Sequence, residues 1–305
     1  MSVGQIPLYF EILPEIQDAL SCGQSIVALE SAVITHGLPY PENLKLSGEM
    51  EIEIRNQDSI PATIALLDGK VHIGLTDEQL MQLASGQAMH KISARDFGTA
   101  ICQKWSGGTT VAGTLLAAKK VGIRVFATGG IGGVHRRPSM DISADLPQLA
   151  NTPMIVVCSG AKSILNLEAT IEYLETYSVP VIGYQTNEFP AFFSITSGLK
   201  TSGRVETPEQ AAKFALTHWM MDLTSAVLLT VPPPASMALA PEQVEEAIHI
   251  ALHEADEKRL RGQAVTPFLL RRVAEITGGQ SLKANLQLLK NNAQIAGKVA
   301  QFFKK

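Results

Sequence analysis

Short, nearly unbroken apolar runs alternate along the chain with stretches whose apolar positions recur every three or four residues, the pattern of a layered α/β protein. Ser25 to Leu29, Arg124 to Thr128, Met154 to Cys158, Val179 to Tyr184 and Ser225 to Val231 read as buried strands, and Met89 to Ser93 as a further one. Ala62 to Leu67 and Val71 to Leu75 flank Asp68-Gly69-Lys70, a hairpin signal that makes the sheet mixed. Helices are predicted over Pro41 to Gln57, Thr109 to Val121, Ser163 to Tyr177, Pro208 to Leu223, Pro241 to Arg259, Thr266 to Ile276 and Ser281 to about Phe303. Thr76-Asp77-Glu78-Gln79 has capping-box form and opens another, to about Ala84. The expected fold is a layered α/β/α sandwich around a mixed, mostly parallel sheet. With no repeat or low-complexity linker, residues 1–305 are expected to form a single domain.

Composition narrows the function. Apolar residues at 46% against 18% charged supply a large core and exclude a disordered chain. A net charge of −4, with no long basic run, argues against a nucleic-acid polymer as partner but leaves a mononucleotide or sugar phosphate open. The most apolar run, Ser225 to Val231, stops at Pro232-Pro233-Pro234 and is too short to cross a membrane. Cys22, Cys102 and Cys158 are far apart and without metal-ligand spacing, which suits a reducing compartment. The first residues lack the basic-then-apolar order of a signal peptide, so a soluble, cytoplasmic protein is expected.

Charged residues stand where apolar strands end, the usual place for sites in open α/β folds. Glu30 follows Ile26-Val27-Ala28-Leu29, Lys91 lies inside a strand, Asp141 and Asp145 frame Ile142-Ser143-Ala144, and Lys162 follows a strand and the small turn Ser159-Gly160-Ala161. Any one of these taken alone could equally be a snorkelling or structurally paired charge. Two glycine-rich segments flank the middle strand. Gly107-Gly108-Thr109-Thr110 is expected to open a helix and present free N–H groups to an anion. Thr128-Gly129-Gly130-Ile131-Gly132-Gly133-Val134-His135 is expected to let backbone approach a ligand. Neither is a nucleotide fingerprint, since His135 takes the last glycine position of a G-x-G-x-x-G and no G-x-x-x-x-G-K-S/T occurs. His249 and His253 are four apart on a helix, but without a Glu directly after the first they are not read as zinc ligands. Cys102 and Cys158 read as core, and no G-x-S-x-G elbow supports a serine hydrolase.

Together the segments ALESAVITHGLPYPENL (from Ala28), IALLDGKVHIGL (Ile64), KISARD (Lys91), SGGTTVAGT (Ser106), FATGGIGGVHR (Phe126), DISADL (Asp141), VVCSGAKSILNLEATIEYLE (Val156), VPVIGYQTNEFPAF (Val179) and TGGQSLKANLQLLKNNA (Thr277) resemble the pseudouridine-5′-phosphate glycosidases, also called the indigoidine synthase A-like family. The resemblance covers nearly the whole chain in one order. It implies reversible cleavage of the carbon–carbon bond of pseudouridine 5′-phosphate to uracil and ribose 5-phosphate, through a lysine imine with the ring-opened sugar. It further implies Glu30 as proton donor, Lys162 as nucleophile, Asn285 near the reacting sugar or base, and Asp141 as ligand of one manganese ion per subunit. Lys91, the Val111 backbone, Ser143, Ala144 and Asp145 match substrate-binding positions, and Thr128 and His135 the phosphate pocket. No organic cofactor is implied. A homo-oligomer, specifically a trimer, and a functional link to a separate pseudouridine kinase are. The sequence departs from the family where only Arg136-Arg137-Pro138-Ser139-Met140 separate the glycine-rich turn from Asp141, so that loop's phosphate and metal contacts are not carried over.

The chemistry asks for such residues. Cleaving a C1′–C5 bond offers no oxygen or nitrogen leaving atom, unlike an ordinary glycosidase with two carboxylates. A neutral amine supplies the electron sink and a carboxylic acid the proton. A Schiff-base aldolase or lyase on another sugar phosphate shares the lysine and phosphate logic and is the alternative activity. A non-catalytic sugar-phosphate binding protein would need the glycine turns but not the Glu30 and Lys162 pair.

Overall fold

The computed structural model describes residues 7–86, 88–136 and 141–304. Its first half comprises β1 (Phe10–Ile12), α1 (Pro14–Ser21), β2 (Ile26–Leu29), α2 (Glu42–Arg55), β3 (Ile60–Leu67), β4 (Lys70–Ile73), α3 (Asp77–Ser85), β5 (His90–Ile92), α4 (Phe97–Cys102), β6 (Gly107–Thr109), α5 (Val111–Val121) and β7 (Val125–Ala127). The second comprises β8 (Val134–His135), α6 (Asp145–Leu149), β9 (Ile155–Cys158), β10 (Leu165–Asn166), α7 (Leu167–Thr176), β11 (Val181–Tyr184), β12 (Gly203–Val205), α8 (Pro208–Met220), β13 (Val227–Thr230), α9 (Pro241–Glu257), α10 (Val265–Ile276) and α11 (Gln280–Ala300).

One mixed sheet runs in the order β1-β4-β3-β2-β7-β9-β13-β11-β12, with β6 paired to β3 and β5 to β6. Its ladders are parallel except β3 with β4 and β3 with β6. The central strands β2, β7, β9 and β13 are buried at every position, which explains their unbroken apolar runs. Helix α11 crosses β2, β7 and β9 and packs beside α2 and α8, while α5 covers β2, β3 and β4 and packs on α6. The main core is one contiguous apolar cluster reaching from Ile16 to Ala300.

The chain leaves β2 outward to β3 and β4, then returns through β6 and α5 to β7 on the other side of β2. That reversal makes a crevice outside the carboxyl ends of β2 and β7, where open α/β sheets bind ligands.

The hairpin forms at the expected place, with Asp68 (φ 50) and Gly69 (φ 78) both left-handed in the turn. The capping box of α3 forms as well. Three expectations are corrected. Gly107-Gly108-Thr109 does not open a helix: it is β6, and a Cβ on Gly107 would lie 2.0 Å from the His90 carbonyl oxygen across the β5 ladder. Helix α5 starts at Val111, capped by the Thr110 side chain, which accepts from Gly113 N–H. The helix expected from Ser163 begins only at Leu167, because Leu165 and Asn166 pair with β8 and the Asn166 side chain caps α7. Cys102 is exposed at the end of α4 instead of in the core, whereas Cys158 is buried.

Candidate active site

Glu30 directly follows β2, and the next residue fixes where it points. The fully buried Ser31 donates its hydroxyl to the Ile64 carbonyl at 2.5 Å and accepts from Thr109 N–H at 2.9 Å, tying the end of β2 to β3 and β6. The Glu30 carboxylate accepts from the Thr128 hydroxyl at the end of β7. Burial raises its pKa above the usual carboxylate range, opposed by nearby Lys162, the Thr128 hydroxyl and Lys91. A carboxyl whose burial favours the protonated form is suited to donate a proton.

Lys162 reaches the same crevice from β9. Its turn is rigid: Ile131 N–H donates to Gly160 O at 3.0 Å and Lys162 N–H to Ile131 O at 3.1 Å. Gly160 has φ 83, and a Cβ there would meet the Pro190 carbonyl oxygen at 2.3 Å, so only glycine fits. Lys91 enters from β5. Its ammonium is pushed below the usual lysine range by burial first and by Lys162 second, with Asp145 and Glu30 opposing. Among the described residues neither lysine is ion-paired within 4.0 Å.

Glu30, Lys91, Lys162 and Asn285 line one pocket together with Gly129, Gly130, His36 and Phe192. It encloses about 570 Å³ of free space including its open mouth, of which only about 70 Å³ is cavity wide enough for water. Helices α10 and α11 wall one side through Leu270, Asn285 and Leu289. His36 lies on a one-turn π-helix, Val33–Gly37, with Nδ1 2.7 Å from Thr35 Oγ1; burial and Lys91 hold its pKa down. Phe192, with φ 63, donates its N–H to Ser159 O at 3.1 Å and lays its ring where a Cβ on Gly130 would be.

The remaining sequence candidates divide. His135 and Asp141 face each other across 4.0 Å (Nδ1 to Oδ2), and burial lowers the His135 pKa against the pull of Asp141. Asp141 is partly exposed and opens, with Arg136, onto a neighbouring cleft beside α9. Arg136 itself is held by both carboxylate oxygens of Glu245. The rest of the shortened loop, 137–140, lies outside the described residues.

Asp145 is buried and its two oxygens accept from Ala112 N–H (2.9 Å) and Gly132 N–H (2.8 Å), so it braces α5 against the glycine turn. That brace leaves Val111 N–H as the amide of the first turn of α5 with no partner among the described residues. Ser143 accepts from Asp145 N–H at 3.2 Å and Ala144 is exposed just before α6. Thr128 is fully buried and its hydroxyl donates to Glu30. The glycine turn is also less open than its sequence suggests. Cβ atoms on Gly132 and Gly133 would strike the hydroxyls of Ser143 and Thr170 at 2.2 and 2.3 Å. His249 and His253 are exposed and pair along α9 with Glu245 and Glu257.

Asn292, absent from the sequence candidates, is wholly buried on α11 and donates to Thr128 O at 2.9 Å. Its seven-residue spacing from Asn285 puts both on one helix face, the one signal that could have found it.

The chain matches the family model described as indigoidine synthase A like protein over residues 15–302. It is 50% identical to a pseudouridine-5′-phosphate glycosidase of Herpetosiphon aurantiacus, covering 95% of this chain and 96% of that one. Among solved structures it resembles a prealnumycin C-glycosynthase in complex with ribulose 5-phosphate, at 40% identity, TM-score 0.90 and 97% coverage of both chains. It also resembles an indigoidine synthase A-like protein of Thermotoga maritima, at 34% identity, TM-score 0.89 and 97% coverage of both.

Proposed function

The chain belongs to the indigoidine synthase A-like family, and from that premise we propose that it is a pseudouridine-5′-phosphate glycosidase, releasing uracil and ribose 5-phosphate reversibly. The observation that carries the reading is the convergence of Glu30, its pKa raised by burial, with two lysines in one pocket at the topological switch point. In this reading Glu30 donates a proton to the sugar ring oxygen while the Lys162 amine bonds to C1′ and the ring opens. The nitrogen lone pair then drives the C1′–C5 electrons onto uracil, C5 takes a proton, and water hydrolyses the imine to ribose 5-phosphate.

Lys91 serves to neutralise phosphate or uracil oxygens, and Asn285 to hold the sugar or base from α11. His135 is assigned to the phosphate, and the Val111 backbone N–H to the substrate. The solved relative with bound ribulose 5-phosphate favours a sugar phosphate as ligand class.

Asp141 fits a hard divalent cation. Its carboxylate is partly exposed and offers the oxygen donor that such a cation takes. Asp141 would hold a hydrated manganese ion, which supplies positive charge beside phosphate or sugar oxygens. Residues 1–305 are taken as one catalytic domain, working as a trimer and paired functionally with a separate kinase.

Incubating the protein with pseudouridine 5′-phosphate and manganese should release uracil, followed by ultraviolet absorbance after separation. A product other than uracil from a different sugar phosphate would favour the aldolase alternative, and no turnover of any sugar phosphate would leave only binding.

A further inference from the structure

The mechanism above uses Glu30 and Lys162 from the ends of different strands, so their relative placement depends on what ties those ends together. Thr128 is fixed on both sides of its backbone: its N–H donates to Val157 O at 3.0 Å and its carbonyl accepts from Asn292 Nδ2 at 2.9 Å. The same amide lies 3.5 Å from Gly129 O and 3.2 Å from Ser159 Oγ, with Asn292 Oδ1 3.4 Å from that hydroxyl. Ser159 in turn donates its N–H to Gly129 O at 2.9 Å and begins the Ser159-Gly160-Ala161 turn that ends at Lys162. Asn292, Thr128 and Ser159 are each fully buried. A polar side chain enclosed this way is retained only if its hydrogen bonds are made, so its orientation is set.

We propose that Asn292 is a positioning residue for the reaction, clamping the end of β7 to the end of β9 so that the Thr128 hydroxyl aims Glu30 and the Ser159 turn aims Lys162. The clamp sits on α11, the helix that also carries Asn285 into the pocket, so one helix sets all three groups relative to each other. The proposal rests on the glycosidase reading for its kinetic consequence but not for its structural one. Moving the Thr128 hydroxyl takes a hydrogen-bond donor from the ionised Glu30, whose other charged neighbours are Lys162, Lys91 and Asp145. Glu30 must then hold its proton to still higher pH.

The test combines turnover with a titration that needs none. Asn292→Ala is expected to lower kcat for uracil release ~10²-fold while KM for pseudouridine 5′-phosphate moves less than about threefold. The Glu30 titration, followed by carboxylate NMR of ¹³C-glutamate-labelled protein, should shift upward in Asn292→Ala and in Thr128→Val, and no further in the double variant. Should Asn292→Ala not fold, Thr128→Val and Ser159→Ala break the clamp from its other ends and should each lower kcat without raising KM. An unchanged Glu30 titration and an unchanged kcat, with only the melting temperature lowered, would overturn the proposal and leave Asn292 a packing residue. If wild-type protein releases no uracil the glycosidase reading fails by itself, and the titration still judges the clamp.

Discussion

Two buried ionisable groups carry opposite burdens at the scale of single residues. Burial raises the Glu30 pKa above its ordinary value of 4.5, so the fold favours the protonated acid. The sign of the linkage follows: below about pH 4 both folded and unfolded forms are protonated and Glu30 contributes nothing. Between pH 4.5 and the raised folded value the unfolded form ionises while the folded form keeps its proton, so the fold loses stability across that window. Glu30→Gln, which cannot ionise, is therefore expected to melt above wild type near pH 8 and at the same temperature near pH 4. It should also lose at least ~10²-fold in uracil release, the contribution typical of a positioned general acid. Equal melting curves at both pH values would mean that the enclosing neighbours already offset the burial. For Lys91 the same burial, reinforced by Lys162, favours the neutral amine. Lys91 and Lys162 line the same pocket, so a covalent test must tell the two amines apart.

The elements show why part of the molecule was legible in its sequence. Strands β2, β7, β9 and β13 are enclosed on both faces, so their apolar runs name them without ambiguity, and Glu30 and Lys162 stand out as charges at their ends. Strand β1 is a three-residue edge strand with an alternating, half-exposed pattern, too short to signal itself. Gly107-Gly108-Thr109 does not announce a strand, because glycines before an apolar helix also suit a helix entry; the clash with His90 that demands glycine arises only once β5 pairs alongside. Asn292 was hidden for a related reason. An Asn in a helix reads as solvent-facing, and only the seating of α11 across β7 and β9 buries it. The roles of the legible charges came from the family resemblance, not from periodicity. The turn ending at Lys162 offers a direct check on this element-level view. Gly160→Ala forces a left-handed φ and a contact with Pro190 O, and is expected to destabilise by at least ~2 kcal/mol in denaturant unfolding and to impair catalysis. An Ala variant with wild-type stability and activity would show that the turn can relax without consequence.

The whole molecule converges the ends of β2, β5, β7 and β9 and the face of α11 on one crevice, and among the described residues no helix is long and apolar enough to cross a membrane. A site assembled from so many elements can use the far end of its ligand to orient the reacting end. Free pseudouridine, lacking the 5′-phosphate, is accordingly expected to react at least ~10²-fold more slowly in kcat/KM, and similar rates for the two substrates would remove the phosphate pocket from the account. Chelation should abolish activity reversibly, and Asp141→Ala should raise the manganese concentration needed for half-activation; full activity with no metal detectable by elemental analysis would contradict the role given to Asp141. The central claim is that catalysis passes through a covalent bond between Lys162 and C1′ of the sugar. Borohydride added with ribose 5-phosphate, followed by peptide mass spectrometry, tests it most directly. The expected result is a reduced secondary amine on Lys162, absent from Lys162→Ala and Lys162→Arg, both of which lose uracil release, since a guanidinium is effectively never neutral. Label on Lys91 with an active Lys162→Ala would reverse the two lysines, and no label with both variants active would contradict the imine altogether.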